Sequence, residues 1–144
     1  MDHAVSIVAK SKCSFCAIVT GSAPAKIIHE TGTTLAFVPL NPATVGHILL
    51  IPKIHSAGLF DTPEHQLMDI MRVSKTLGAK IKEVTGCEGM NIIQSNGSCA
   101  TQTIMHYHMH LVPRNEGDGF GPIWPTRPVS SSGVKSFVAA MGAS

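Results

Sequence analysis

At 144 residues, with 44% apolar and 14% charged side chains, the chain is long enough for one domain with a real core and too apolar for a disordered one. A net charge of +2 is too small to point to nucleic acid, and no apolar run approaches the ~18 residues that cross a bilayer. The opening Met1-Asp2-His3-Ala4-Val5 has no basic n-region and no long apolar stretch, so secretion is not expected, and the four cysteines read as thiols or ligands.

Residues 1–12 read as a lead-in. Cys13-Ser14-Phe15-Cys16 is a C-x-x-C, which serves redox chemistry, forms half of a zinc site, or arises by chance. A redox pair wants an apolar strand before it, and Lys10-Ser11-Lys12 is not one. Half a zinc site is the favoured reading if other ligands exist. Gly21-Ser22-Ala23-Pro24 marks a turn. Residues 26–30 and 34–38 then read as strands of a hairpin across Thr31-Gly32-Thr33. Residues 46–53 give a third, central strand, with His47 opening it, Pro52 closing it and His55 just beyond.

Thr62-Pro63-Glu64 carries the signals of a helix start: a capping hydroxyl, a proline at the first helical position and an acid at the positive dipole end. Leu67, Ile70, Met71, Leu77, Ile81 and Val84 follow helical spacing up to Gly86, so this helix is expected to pack, not to react. Residues 89–94 form a fourth strand. Cys87 and Cys99 are read as plain small residues. Gly117-Asp118-Gly119-Phe120-Gly121 looks phosphate-binding at a glance but lacks a βαβ context, so a surface loop is expected. The tail from Pro125 reads as a flexible extension. No repeat and no second domain is visible, and the order of elements predicts an α+β layer with a mainly antiparallel sheet.

The densest chemistry lies in His106-Tyr107-His108-Met109-His110-Leu111. Strict alternation is the pattern of a half-buried strand, which puts three imidazoles on one face and Tyr107, Met109 and Leu111 on the other. At ~3.3 Å rise per residue, neighbouring rings would stand about 6–7 Å apart. Three histidines on one face would be wasteful in a purely structural role, because each ring needs hydrogen-bond partners. Two functions remain open from the strand alone: a His-rich metal site, or an imidazole nucleophile with imidazole helpers.

His106-x-His108-x-His110, preceded by Gln102-Thr103 and followed by Leu111-Val112-Pro113-Arg114, resembles the signature of the histidine triad (HIT) family of nucleotide hydrolases and transferases. Cys13-x-Phe15-Cys16, Pro24-Ala25-Lys26-Ile27-Ile28, Leu35-Ala36-Phe37 and Gly46-His47-x-Leu49-x-Ile51-Pro52-Lys53-x-His55 agree with it in order. The likeness covers residues 13–124 and leaves 125–144 as a C-terminal extension. It implies a HIT-like α+β fold: an antiparallel sheet of about five strands, one long helix and a short N-terminal helix, assembled as a homodimer. In the zinc-carrying branch, the metal ligands correspond to Cys13, Cys16, His55 and His106, a closed structural site.

By position the resemblance makes His108 the nucleophile on the α-phosphate of a nucleoside 5′-phosphoramidate such as an AMP-amine. His110 would contact phosphate oxygens and help protonate the leaving group, His47 would steady the triad, and His106 would be both triad member and ligand. Phe15, Ile18, Phe37 and Leu40 fall where relatives line a purine base, as for AMP or GMP, and Gln102 and Thr103 fall beside the phosphate. Relatives usually carry Asp or Asn where this chain has Pro39, Asn or Gln at Ser95, and Gly at Thr101. The alternatives are a dinucleoside polyphosphate hydrolase or nucleotidylyl transferase, a nucleotide-binding regulator with little turnover, and a catalytic metal held by all three histidines. The composition fits an intracellular protein, of the cytoplasm or also the nucleus, with no membrane or nucleic-acid partner.

Overall fold

A computed structural model describes residues 12–142; of the lead-in expected over residues 1–12, all but Lys12 lies outside the described residues. Helix α1 (Ser14–Thr20) is followed by strands β1 (Lys26–Glu30), β2 (Thr34–Val38) and β3 (Ile48–Pro52), helix α2 (Glu64–Thr85), strands β4 (Gly89–Gln94) and β5 (Met109–Arg114), and helix α3 (Ser131–Ala140). The five strands form one antiparallel sheet in the order β1-β2-β3-β5-β4. This is the expected α+β architecture, with the expected short and long helices.

Side chains alternate across each strand, so the sheet has two faces with different cover. Ala36, Ile48, Leu50, Met109 and Leu111 pack on one face against Ile70 and Leu77 of α2, with Tyr107 beside them. Leu35, Phe37, Leu49 and Ile51 point the other way and pack against Phe15 of α1. His110 is paired in register with Leu49 of β3 and Ile93 of β4. It therefore stands on the α1 face, where the long helix does not reach. That half-covered face is where a cleft can form.

Several local expectations are corrected. The strand expected from His106 starts at Met109. The Tyr107 N–H donates instead to the Ser56 carbonyl (2.7 Å), and the His106 carbonyl is taken by the His108 ring, so neither group is left for a ladder. Thr62 does not cap α2: its hydroxyl donates to Gly58 O (2.6 Å) and meets Ser56 Oγ (2.7 Å), and Pro63 occupies the cap position. Along α2, Ile70 and Leu77 are buried, but Met71 and Val84 are exposed. The tail is not without structure, because Ser130 caps α3 by accepting from the Gly133 N–H (3.1 Å). Gly46 sits at φ +98, and a β-carbon there would meet Pro113 Cγ at 2.9 Å and Thr85 Cγ2 at 3.0 Å, so only glycine lets the chain enter β3 this close to β5.

Candidate active site and metal centre

Cys13 and Cys16 lie at the start of α1, where Cys13 accepts the Cys16 N–H as the N-cap. His55 lies just past β3 and His106 in the approach to β5. The ligand atoms of these four side chains all lie within 4.8 Å of one another. Cys13 Sγ is 3.4 Å from His106 Nδ1, and Cys16 Sγ is 3.3 Å from His55 Nδ1 and 3.5 Å from His106 Nδ1. Metal bonds of about 2.3 Å to sulfur and 2.05 Å to nitrogen in a tetrahedron would put S and N roughly 3.6 Å apart. His106 Nε2 donates to the Pro52 carbonyl at 2.7 Å, which leaves Nδ1 with its lone pair toward the thiols. The donor set and its spacing fit a four-coordinate metal ion.

The same strand approach arranges three further imidazoles. His108 Nδ1 donates to the carbonyl of His106 at 2.8 Å, so its Nε2 keeps the lone pair. The Ala43 N–H donates to His47 Nδ1 at 2.9 Å, which puts the His47 proton on Nε2. That Nε2–H meets His110 Nδ1 at 2.9 Å, and the His110 proton is thereby placed on its own Nε2. Backbone groups thus set all three tautomers: a bare nitrogen on His108 beside an N–H on His110, their rings 5.2 Å apart. Burial pushes His47 and His108 below the usual imidazole value. It lowers His110 to about 4, with the His108 and His47 rings adding to the effect. Neutral rings at pH 7 are what a nucleophile and a neutral donor require.

His108, His110 and His47 line a cleft of about 470 Å³. Ser95 and Thr101 form part of its wall, and residues 120–123 another. The glycine-rich loop is therefore not a plain surface loop. Arg114 pins it: Nε and Nη2 reach the two Asp118 carboxylate oxygens (2.8 and 3.2 Å), Nη2 reaches Phe120 O (3.1 Å), and Nη1 reaches Asn91 Oδ1 (2.7 Å). The guanidinium holds Asp118 well below the usual carboxylate range. The one sequence signal for this arrangement is an Arg at the end of a strand with an Asp four residues on.

A second cleft, of about 430 Å³, opens beside Phe37 and is lined by Ile18, Val38, Pro39 and Leu40 among others. Phe15, expected to line the base, is buried behind it. Its ring stands edge-on to Phe37 (5.4 Å), His108 (5.2 Å) and His106 (5.9 Å), so it packs under the histidine strand and lines neither cleft.

Two expected contacts fall elsewhere. Gln102 is buried, donating to Ala57 O (2.7 Å) and Ile104 O (3.0 Å) and accepting from the Gly97 N–H (2.8 Å), so it shapes its loop. Thr103 lines a separate recess with Cys13 and His55. A metal shared by His106, His108 and His110 is contradicted by geometry: the His106 ring turns to the cysteines and His108 spends Nδ1 on a carbonyl.

The HIT domain family model matches residues 20–117. The chain belongs to the HIT family. It is 37% identical over 125 residues to adenosine 5′-monophosphoramidase hnt1 of Schizosaccharomyces pombe, covering 86% of this chain and 91% of that one. Among solved structures, a HIT-family protein of Bacillus subtilis superposes with a TM-score of 0.81 at 29% identity, covering 90% of this HIT chain and 94% of that one. A Zn-bound histidine triad family protein of Mycobacterium smegmatis gives 0.73 at 35%, covering 90% and 93%.

Proposed function

We propose that this HIT protein hydrolyses nucleoside 5′-phosphoramidates, releasing the nucleoside monophosphate and an amine. The observation that carries the reading is the His108 Nδ1–H bound to the His106 carbonyl, which holds Nε2 unprotonated in the cleft. Nε2 attacks the α-phosphorus and the P–N bond breaks. The amine takes a proton from His110 Nε2–H, and His110 Nδ1 can recover one from His47 Nε2–H. A nucleotidyl group is then bonded to His108 Nε2. Water attacks the same phosphorus in a second step, the P–N bond to His108 breaks, and the water proton returns to the histidine pair.

The wall of the histidine cleft favours an amine over a polyphosphate as leaving group. Ala43, Ile93, Val112, Phe120 and Ile123 are apolar, and the Arg114 charge is already balanced by Asp118. A polyphosphate would bring several negative charges to a surface with no spare cation among the described residues. The phosphoramidase names of relatives such as hnt1 support the same choice.

Zinc is the metal we assign to Cys13, Cys16, His55 and His106. With all four positions filled by protein it would fasten α1 to the sheet, and it would supply structural stability alone. A homodimer, the assembly implied by the family resemblance, is supported by exposed Met68 and Met71 on α2 and Ile92 on the edge strand β4. A reducing compartment, the cytoplasm above all, suits the thiol ligands.

Replacing the nucleophile tests the reading. His108→Asn and His108→Ala should lower turnover of an adenosine phosphoramidate by about 10⁴-fold or more, with metal content and fold unchanged. Full activity in either variant would overturn it.

A further inference from the structure

The four side chains of the metal cluster do not meet solvent equally. Cys16 and His106 are buried, whereas Cys13 and His55 are half-buried. Those two face a recess of about 320 Å³ that Ser14, Thr103 and Met105 also line. Of the two thiols, Cys13 is therefore the one a small solute reaches. The Cys16 sulfur lies behind it, within 4.8 Å of the Cys13 sulfur. Closing that gap to a disulfide bond of about 2.05 Å is within the reach of side-chain rotation. An accessible thiolate with a second thiol beside it to resolve the product is the arrangement of a redox-sensing pair.

His106 connects this pair to the histidine cleft. Its Nδ1 stands 3.4 Å from Cys13 Sγ and 3.5 Å from Cys16 Sγ, and its carbonyl accepts from His108 Nδ1. Phe15, between the two cysteines in sequence, stands edge-on to the rings of both His106 and His108. Whatever holds the cysteines in place therefore also holds the residue that sets the His108 tautomer.

We propose that Cys13 and Cys16 form a redox latch on the active site, opened by hydrogen peroxide. The Cys13 thiolate attacks the peroxide, its O–O bond breaks, and a sulfenic acid and a hydroxide result. The Cys16 thiolate then attacks the Cys13 sulfur; the S–S bond forms, the S–O bond breaks and a second hydroxide leaves. The two thiolates have lost two electrons, and the peroxide has gained them. A disulfide offers no thiolate to a metal ion, so two of the four ligands are lost and the ion is released. α1 and Phe15 lose their fastening, His106 loses the bond that orients its ring, and His108 loses its fixed position. A dithiol reduces the disulfide and reverses the change. The inference rests on the zinc assignment given above.

The test treats the zinc-loaded full chain with hydrogen peroxide. Released zinc is read with a zinc-binding dye, the cysteine products by peptide mass mapping, and activity as turnover of adenosine 5′-phosphoramidate. One zinc should leave for each disulfide formed between Cys13 and Cys16, and turnover should fall in step by about tenfold or more. Dithiothreitol with added zinc should restore both. Cys99→Ala, which removes the exposed thiol outside the cluster, should change neither the release nor the turnover. Cys13→Asp keeps a ligand for the metal and should slow the release by about tenfold or more. Zinc retained while Cys99 alone is oxidised would overturn the inference, as would release without the disulfide or a disulfide that leaves turnover unchanged. Protein that carries no metal and takes none up would count against the zinc assignment and remove the latch with it. Untreated protein without turnover would count against the proposed reaction, and the coupled release and disulfide would still decide the latch.

Discussion

Thr101 illustrates how a single backbone angle can bear on the site. It sits at φ 72, the one non-glycine residue at positive φ among those described, and it lines the histidine cleft. A β-branched residue held there costs about 1–3 kcal/mol, part of which glycine would return as chain entropy. Thr101→Gly should therefore raise the stability by about 1 kcal/mol in urea unfolding. An unchanged or lower midpoint would show that the Thr101 side chain compensates for its backbone. The likeness to relatives with glycine at this position was visible in sequence; the angle that explains it was not.

His47 and His110 make a pH prediction at the same scale. Both are depressed from the ordinary imidazole value by burial, His110 to about 4. Between that value and about 6.5 the unfolded chain binds more protons than the folded one, so stability rises with pH in this window. The full contribution is present above pH 6.5 and is lost as pH falls toward 4. Denaturation midpoints should therefore drop from pH 7 to pH 5, and His110→Gln should flatten the slope. A midpoint that is flat over that range would contradict the assignment of neutral, buried rings.

At the scale of elements, α1 is a seven-residue helix that meets the rest of the fold through Phe15 and through Cys13 and Cys16, which stand beside His55 and His106. So short a helix has little intrinsic stability and is held by tertiary contacts. Removing the metal with a chelator should lower Tm by more than about 5 °C, and Cys16→Ser should cost about 3 kcal/mol or more. Elemental analysis of unchelated protein should give one zinc per chain. The loop at residues 115–123 is fixed differently, by the Arg114 guanidinium and by the Asp118 carboxylate that accepts from it and from the Asn115 and Phe120 N–H groups. Asp118→Ala should release it and raise KM for the phosphoramidate about tenfold while leaving the metal content alone, because neither Arg114 nor Asp118 belongs to the Cys13, Cys16, His55 and His106 cluster.

Taken as a whole molecule, much of the fold could be read in advance, for identifiable reasons. Apolar runs bounded by turn residues gave strands 26–30, 34–38 and 89–94 where the structure has them, and Gly86 ends α2 in the left-handed conformation that its type favours. The misread features depended on tertiary partners: Thr62 turns to Gly58, and Tyr107 to Ser56. His55 and His106 are far from the C-x-x-C in sequence, so spacing alone could not unite the four side chains; the family resemblance did, and the structure brings them together. The role of the loop carrying Phe120 is not legible in sequence, because nothing local shows that Arg114 holds it beside the histidine cleft.

The proposed reaction requires a covalent bond at one nitrogen, His108 Nε2. Rapid quenching of wild-type protein during turnover of an adenosine phosphoramidate, followed by intact-mass and peptide analysis, measures it directly. The prediction is a mass increase of one adenylyl group located on His108, absent in His108→Asn. Turnover with no protein-bound nucleotide at any time, or with the adduct on another residue, would contradict it.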